Sequence, residues 1–160
     1  MKKYHLKVIN ALDKLNIKFI IGADSLVGMG EDDIYKYSNN LKLYLFPPNP
    51  LKIFILSIYL LLNKIVLKPK KIFSHLFFKL RYKPSLFNKE PHFVKLSIFE
   101  KINNDVFGIF IGEKITEFDK SDLSIKKVDY DGFKLPVPIN YPEFNQKYKD
   151  ELLSNFYKHH

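Results

Sequence analysis

Apolar and polar positions along this chain alternate with two different periods, and the changes of period mark out its elements. Val8, Ala11, Leu12 and Leu15 recur at spacings of three and four, which predicts an amphipathic helix over residues 4–15. Asn16 is a plausible stop for that helix. Residues 17–21 are rich in β-branched side chains and predict a short strand. Gly22, Gly28 and Gly30 then punctuate residues 22–30, which predicts a loop. Residues 41–46 return to a period of two. Leu41, Leu43 and Leu45 face one way and Lys42, Tyr44 and Phe46 the other, so this segment predicts a half-buried strand, ended by Pro47, Pro48 and Pro50.

Residues 51–67 are strongly apolar, with an uncharged core over residues 53–63. That stretch is shorter than the roughly 20 residues a membrane-spanning helix needs. It predicts a helix with a narrow polar stripe of Lys52, Tyr59 and Asn63, buried in the core on one reading and lying on a membrane surface on the other. Residues 68–89 are basic and aromatic. Residues 93–99 and 106–111 predict a hairpin turning at Asn103, Asn104 and Asp105. Residues 130–137 predict another short strand. Asn140 with Glu143 resembles a helix cap, and a last helix would place Phe144, Tyr148, Leu152 and Phe156 on one face. Helices at both ends with strands between them predict a single α+β domain over residues 1–160, a small mixed β-sheet flanked by helices.

Composition narrows the chemistry. There is no cysteine among the 160 residues, so disulfides, thiolate metal sites and a cysteine nucleophile are excluded. The histidines, at positions 5, 75, 92, 159 and 160, lack zinc-site spacing. The lysines of the first ten residues are followed by no continuous apolar run, so the expected location is cytoplasmic, with peripheral contact to the inner membrane face as an extension. The net charge is +9, and it is concentrated: residues 34–89 hold eleven Lys or Arg and no Asp or Glu. Such a segment is either solvated lysine or a face for phosphates on nucleotides, lipid head groups or nucleic acid. No nucleic-acid-binding signature accompanies it, so an anionic membrane is the more natural macroscopic partner.

Two separated segments resemble the LicD/fukutin family of nucleotidyltransferase-fold phosphotransferases. Ser25, Leu26, Val27 and Gly28 match that family's Gly-Thr-Leu-Leu-Gly loop, and residues 38–43 lie where its Asp-x-Asp strand would be. Near the other end, Tyr130, Gly132, Val137, Pro138, Tyr141 and Tyr148 match the closing pattern of an aromatic-acid-Gly turn, a Val-Pro-x-Pro strand and a tyrosine-containing helix. The resemblance implies a nucleotidyltransferase-like core. It also implies transfer of phosphocholine or a phosphopolyol from a CDP-linked donor to a glycan or lipid-linked acceptor, as in lipopolysaccharide decoration. Mg²⁺ held by carboxylates would bridge the phosphates, since phosphoryl transfer gathers negative charge that a hard cation offsets.

The same alignment puts Asn40, Lys42 and Ser97 at the positions of the three family acids, so this chain departs from the family where the metal would sit. Lys42 then has two readings, an ammonium standing in for the metal's charge or a strand lysine facing solvent. Gly22, Asp24, Ser25 and Gly28 are the candidate phosphate-binding residues of the glycine-marked segment, against the alternative of a simple turn. Asp32 and Asp33, beside Glu31, are the candidates for a displaced metal site, against the alternative of a solvated acidic run.

Overall fold

The computed structural model describes residues 2–38, 40–72, 75–82, 93–111, 114–142, 145, 146 and 149. Helix α1 (Lys3–Lys14) opens the chain and buries Val8, Ile9, Ala11 and Leu12. Asn16, in the left-handed region at φ 49, ends it and turns the chain into β1 (Phe19–Ile21). A second helix, α2 (Ala23–Met29), follows immediately and leads through a turn to β2 (Leu41–Leu45). Helix α3 (Pro50–Leu62) starts with Pro50 in its first turn, and the Asn49 side chain accepts a hydrogen bond from the Leu51 N–H at 2.9 Å. Strands β3 (Ile65–Ile72), β4 (His75–Tyr82) and β5 (Phe93–Ile98) come next. The remaining strands are β6 (Glu100–Lys101), β7 (Val106–Ile111), β8 (Lys114–Asp119), β9 (Ile125–Tyr130) and β10 (Phe133–Pro138).

The main sheet has five strands in the order β1-β2-β5-β4-β3. Strands β2 and β5 run parallel and every other neighbouring pair is antiparallel, so the sheet is mixed. One face carries Leu41, Leu43, Leu45, Val94, Leu96, Phe78 and Leu80, all buried, in one core with α1 and with Leu56 and Leu60 of α3. The three leucines of β2 are fully inaccessible, as strict alternation predicts. Strands β6, β7 and β8 form a second sheet, and β9 and β10 a hairpin whose Leu135 and Val137 join the same core.

Five expectations from the sequence are corrected. The glycine-marked residues 22–30 are chiefly a helix, because burial of Leu26, Val27 and Met29 outweighs the weak helix propensity of glycine. The apolar run of residues 51–67 is not one helix. It breaks at Lys64, in the left-handed region at φ 60, and β-branched Ile65 and Val66 begin a strand. Nor is α3 a buried core helix, since only Leu56 and Leu60 of its length are buried.

The turn at residues 103–105 is present, with the Asn103 side chain accepting from the Asp105 and Val106 N–H groups at 2.9 and 2.8 Å. It joins β6 to β7, however. Strand β5 is drawn instead between β2 and β4, where its alternating Val94 and Leu96 reach the core. The single strand expected over residues 130–137 is a hairpin, turning at Asp131 and Gly132, both at positive φ. Phe144, Tyr148, Leu152 and Phe156 of the expected last helix, and the Glu143 cap, lie outside the described residues.

Candidate functional site

Strand β2 and the start of α2 are bound together through the backbone of one residue. The Gly22 N–H donates to the Lys42 carbonyl at 2.8 Å, and the Lys42 N–H donates to Ser25 Oγ at 3.0 Å. Ser25 Oγ in turn reaches the Asn40 carbonyl at 3.4 Å. Ser25 is fully buried, so its hydroxyl satisfies strand groups that water does not reach. Gly22 is required where it stands, because a β-carbon there would lie 2.8 Å from the Tyr44 ring. This strap aims the side chain of buried Asp24 at the ammonium of Lys42, with which it forms an ion pair.

Lys42 is one member of a row. In the sheet register it stands beside Lys95 of β5, Lys95 beside Lys79 of β4, and Lys79 beside Lys68 of edge strand β3. Residues in register share a face, so four lysines cross the sheet side by side on the face opposite the leucine core. Lys42, Lys95 and Lys79 are half-buried and Lys68 is exposed. The Lys95 ammonium lies 4.7 Å from the centroid of the Phe77 ring. Burial first, then the positive charge of Lys42, push the Lys95 pKa down. Asp24 opposes that shift and Lys79 adds to it. Like charges opposite one another in a sheet destabilise it, and a half-buried one costs more than an exposed one.

The remaining candidates fall around this row in different ways. Asn40 sits immediately before β2 and is half-buried. Ser97 is in register with Tyr44 and Phe77, one rung along, so the neighbour of Lys42 on β5 is Lys95. Gly28 packs against the chain that returns from α2: a β-carbon there would overlap the Asp33 carbonyl oxygen.

Asp32 and Asp33 lie past the other end of α2 from Asp24. Asp33 Oδ1 accepts from the Tyr35 N–H at 2.9 Å, and the Asp32 carbonyl accepts from the Tyr130 hydroxyl at 3.2 Å. Tyr130 also accepts from the Ile34 N–H at 2.9 Å, so these aspartates belong to a turn locked by the β9–β10 hairpin. Asp32, Asp129 and Asp131 line an open depression there with Ile34, Tyr35 and Tyr130.

A carboxylate-held Mg²⁺ does not fit the described residues of this face. Lys95 occupies the register position beside Lys42 on β5, and Asp24 is already paired with Lys42. Among the described residues no group of three His, Asp or Glu is placed to hold a metal ion. Hard divalent cations need several anionic oxygens, which this face does not supply.

Sequence reasoning reached Lys42, Asp24 and Ser25 but missed Lys95 and Lys79. Their signal is visible afterwards in alternation: Lys95 lies between Val94 and Leu96, and Lys79 between Phe78 and Leu80. Only the strand order brings them to Lys42.

With this geometry in view, the chain resembles two solved structures. The lincosamide antibiotic adenylyltransferase LnuA, solved with lincomycin bound, superposes with a TM-score of 0.52 at 10% identity, covering 96% of this chain and 97% of that one. A nucleotidyltransferase-like antigenic protein from Paracoccidioides brasiliensis gives a TM-score of 0.44 at 14% identity, covering 84% of this chain and 59% of that one. No family model matches the sequence. No curated protein matches it either. The likeness to LnuA extends over almost the whole of both chains, and the chain has a nucleotidyltransferase-like fold, α+β with a mixed sheet flanked by helices.

Proposed function

We propose that this chain binds the phosphates of a nucleotide-linked donor on the lysine-bearing face of its main sheet, with Lys42, Lys79 and Lys95 providing the positive charge. The observation that carries the reading is the lysine row itself, set beside the start of α2 in a nucleotidyltransferase-like fold. Ammonium groups are point-charge phosphate binders, and a partly desolvated one interacts more strongly than one in free water. Three of them side by side are costly in the empty protein and are relieved by an anionic ligand.

The resemblance to the LicD/fukutin family supports a CDP-linked donor and a role in decorating a surface glycan with phosphocholine or a phosphopolyol. Lys42 at one of the metal-binding acid positions, with Asn40 and Ser97 at the other two, makes donor binding independent of Mg²⁺ on this reading. Adenylyl transfer by LnuA makes ATP the natural competing ligand to compare.

Calorimetric titration with CDP-choline, CDP-ribitol and ATP, each with Mg²⁺ and with EDTA, tests the reading. The expected result is binding of a CDP-linked compound that persists in EDTA and weakens about tenfold or more in Lys95→Met, since a hydrogen bond to a charged group is worth about 1.5–3 kcal/mol. Binding that requires Mg²⁺, or that survives unchanged in both Lys42→Met and Lys95→Met, would overturn it, as would failure of all three compounds to bind.

A further inference from the structure

Helix α3 presents an unusual outer face. Leu51, Phe54, Ile55, Ile58, Leu61 and Leu62 are all exposed, with Leu51, Phe54 and Leu61 each at 62% and Leu62 at 80%. At 100° per residue these six fall within a band about 120° wide, on the side opposite buried Leu56 and Leu60. No charged residue interrupts that band. The polar side chains of the helix end turn inward to its own backbone. Ser57 Oγ donates to the Ile53 carbonyl at 2.8 Å, and Asn63 Nδ2 donates to the Tyr59 carbonyl at 3.0 Å. Lys52, on the flank, donates to the Asn16 carbonyl at 2.9 Å and so braces α3 on the end of α1.

We propose that α3 lies on an anionic lipid bilayer, with this stripe entering the boundary between head groups and acyl chains. A helix of 13 residues is too short to cross, and no helix of the described residues is long and apolar enough to do so. Lying in the interface plane is what an apolar stripe of this width suits. Charge decides between a bilayer and a second copy of the chain. The charges on the α3 side are basic: Lys52 on its flank, Lys64 just past its end, and Lys14, whose ammonium lies 5.8 Å from the Tyr59 ring centroid, with no Asp or Glu anywhere in residues 50–82. Two copies meeting through α3 would bring like-charged surroundings together, whereas anionic head groups complement them. The lysine row faces away from α3, across the sheet, so a docked molecule keeps that row open to a soluble ligand.

The test is co-sedimentation of the full chain with vesicles of phosphatidylcholine alone and with about one third phosphatidylglycerol, a fraction that gives a strongly negative surface. Binding is expected to the anionic vesicles, to weaken as salt rises, and to fall at least tenfold in the double variant Phe54→Ser, Leu61→Ser. Both side chains are exposed, so a circular dichroism spectrum and urea midpoint matching the parent show that the variant is folded. Equal vesicle binding by that folded variant would overturn the proposal and reduce the effect to adsorption of surface lysines. So would a concentration-dependent dimer that the variant dissolves, with no vesicle binding by the parent. Titration of the same variant with CDP-choline keeps this outcome separate from that of the donor-binding reading.

Discussion

Gly28→Ala separates a packing glycine from a ligand-contacting one, and its sign is not obvious in advance. Gly28 lies inside α2, where alanine is favoured over glycine by about 1 kcal/mol. Against that gain stands a steric conflict with backbone. The new β-carbon would overlap the Asp33 carbonyl oxygen and lie 3.3 Å from the carbonyl carbons of Asp33 and Ile34. Backbone cannot swing aside as a side-chain tip can. The carbonyl of Gly28 itself accepts from the Asp33 N–H at 2.9 Å and the Glu31 N–H at 3.0 Å, so pushing the turn away strains two hydrogen bonds.

Overpacking costs about 1–3 kcal/mol and a lost hydrogen bond about 0.5–1.5 kcal/mol. With the helix gain subtracted, a net loss of about 2 kcal/mol is expected, or a fall of about 1 M in the urea midpoint for a slope near 2 kcal/mol/M. Gly30→Ala is the control. Its β-carbon would meet Asn145 Nδ2 at 2.9 Å, the end of a side chain that can move but that donates to the Leu26 carbonyl at 3.2 Å, so a loss of no more than about 1 kcal/mol is expected. A midpoint for Gly28→Ala equal to or above the parent's would refute the packing argument.

Two further outcomes follow from the charges. Lys95→Met is expected to raise the urea midpoint while weakening donor binding, because it removes a half-buried ammonium held beside Lys42. Burial lowers the Lys95 pKa, so the folded state binds this proton less tightly than the unfolded chain. The parent is therefore expected to gain stability relative to Lys95→Met as pH rises toward 10.5, and a pH-independent difference between the two would count against it. Glu31, by contrast, has its pKa drawn down from 4.5 to about 2 by hydrogen bonds from Lys149, Lys36 and Tyr37. Its stabilising effect is fully present above about pH 4.5 and is lost as pH falls toward 2. The urea midpoints of the parent and Glu31→Gln are expected to differ at pH 7 and converge at pH 2.

Local periodicity carried much of the fold. Strand β2 could be read because Leu41, Leu43 and Leu45 alternate with polar or amphipathic residues, and α1 because its apolar stripe repeats every three to four. Several of the errors share a cause, which is that packing against a neighbour outweighed the local signal. Gly22 and Gly28 read as loop residues, yet each is glycine because something approaches it closely, the Tyr44 ring in one case and the Asp33 carbonyl in the other. Strand β5 read as half of a hairpin, yet the vacancy between β2 and β4 claimed it.

The site was hidden for the same reason. Lys42, Lys79 and Lys95 look like ordinary polar-face lysines on three separate strands, and nothing local marks them. The order β2-β5-β4 makes them neighbours. A sheet selected for stability alone would not place three half-buried ammoniums in one row with the Asp24 carboxylate already engaged by the first of them. Solvated lysine in a basic segment accounts for exposed Lys68, and it does not account for Lys95, whose pKa is held down first by burial and then by the charge of Lys42. The cost becomes intelligible if an anion completes the site. That is why the donor titration with Lys42→Met and Lys95→Met bears on function, while the vesicle experiment on α3 bears on where that function is carried out.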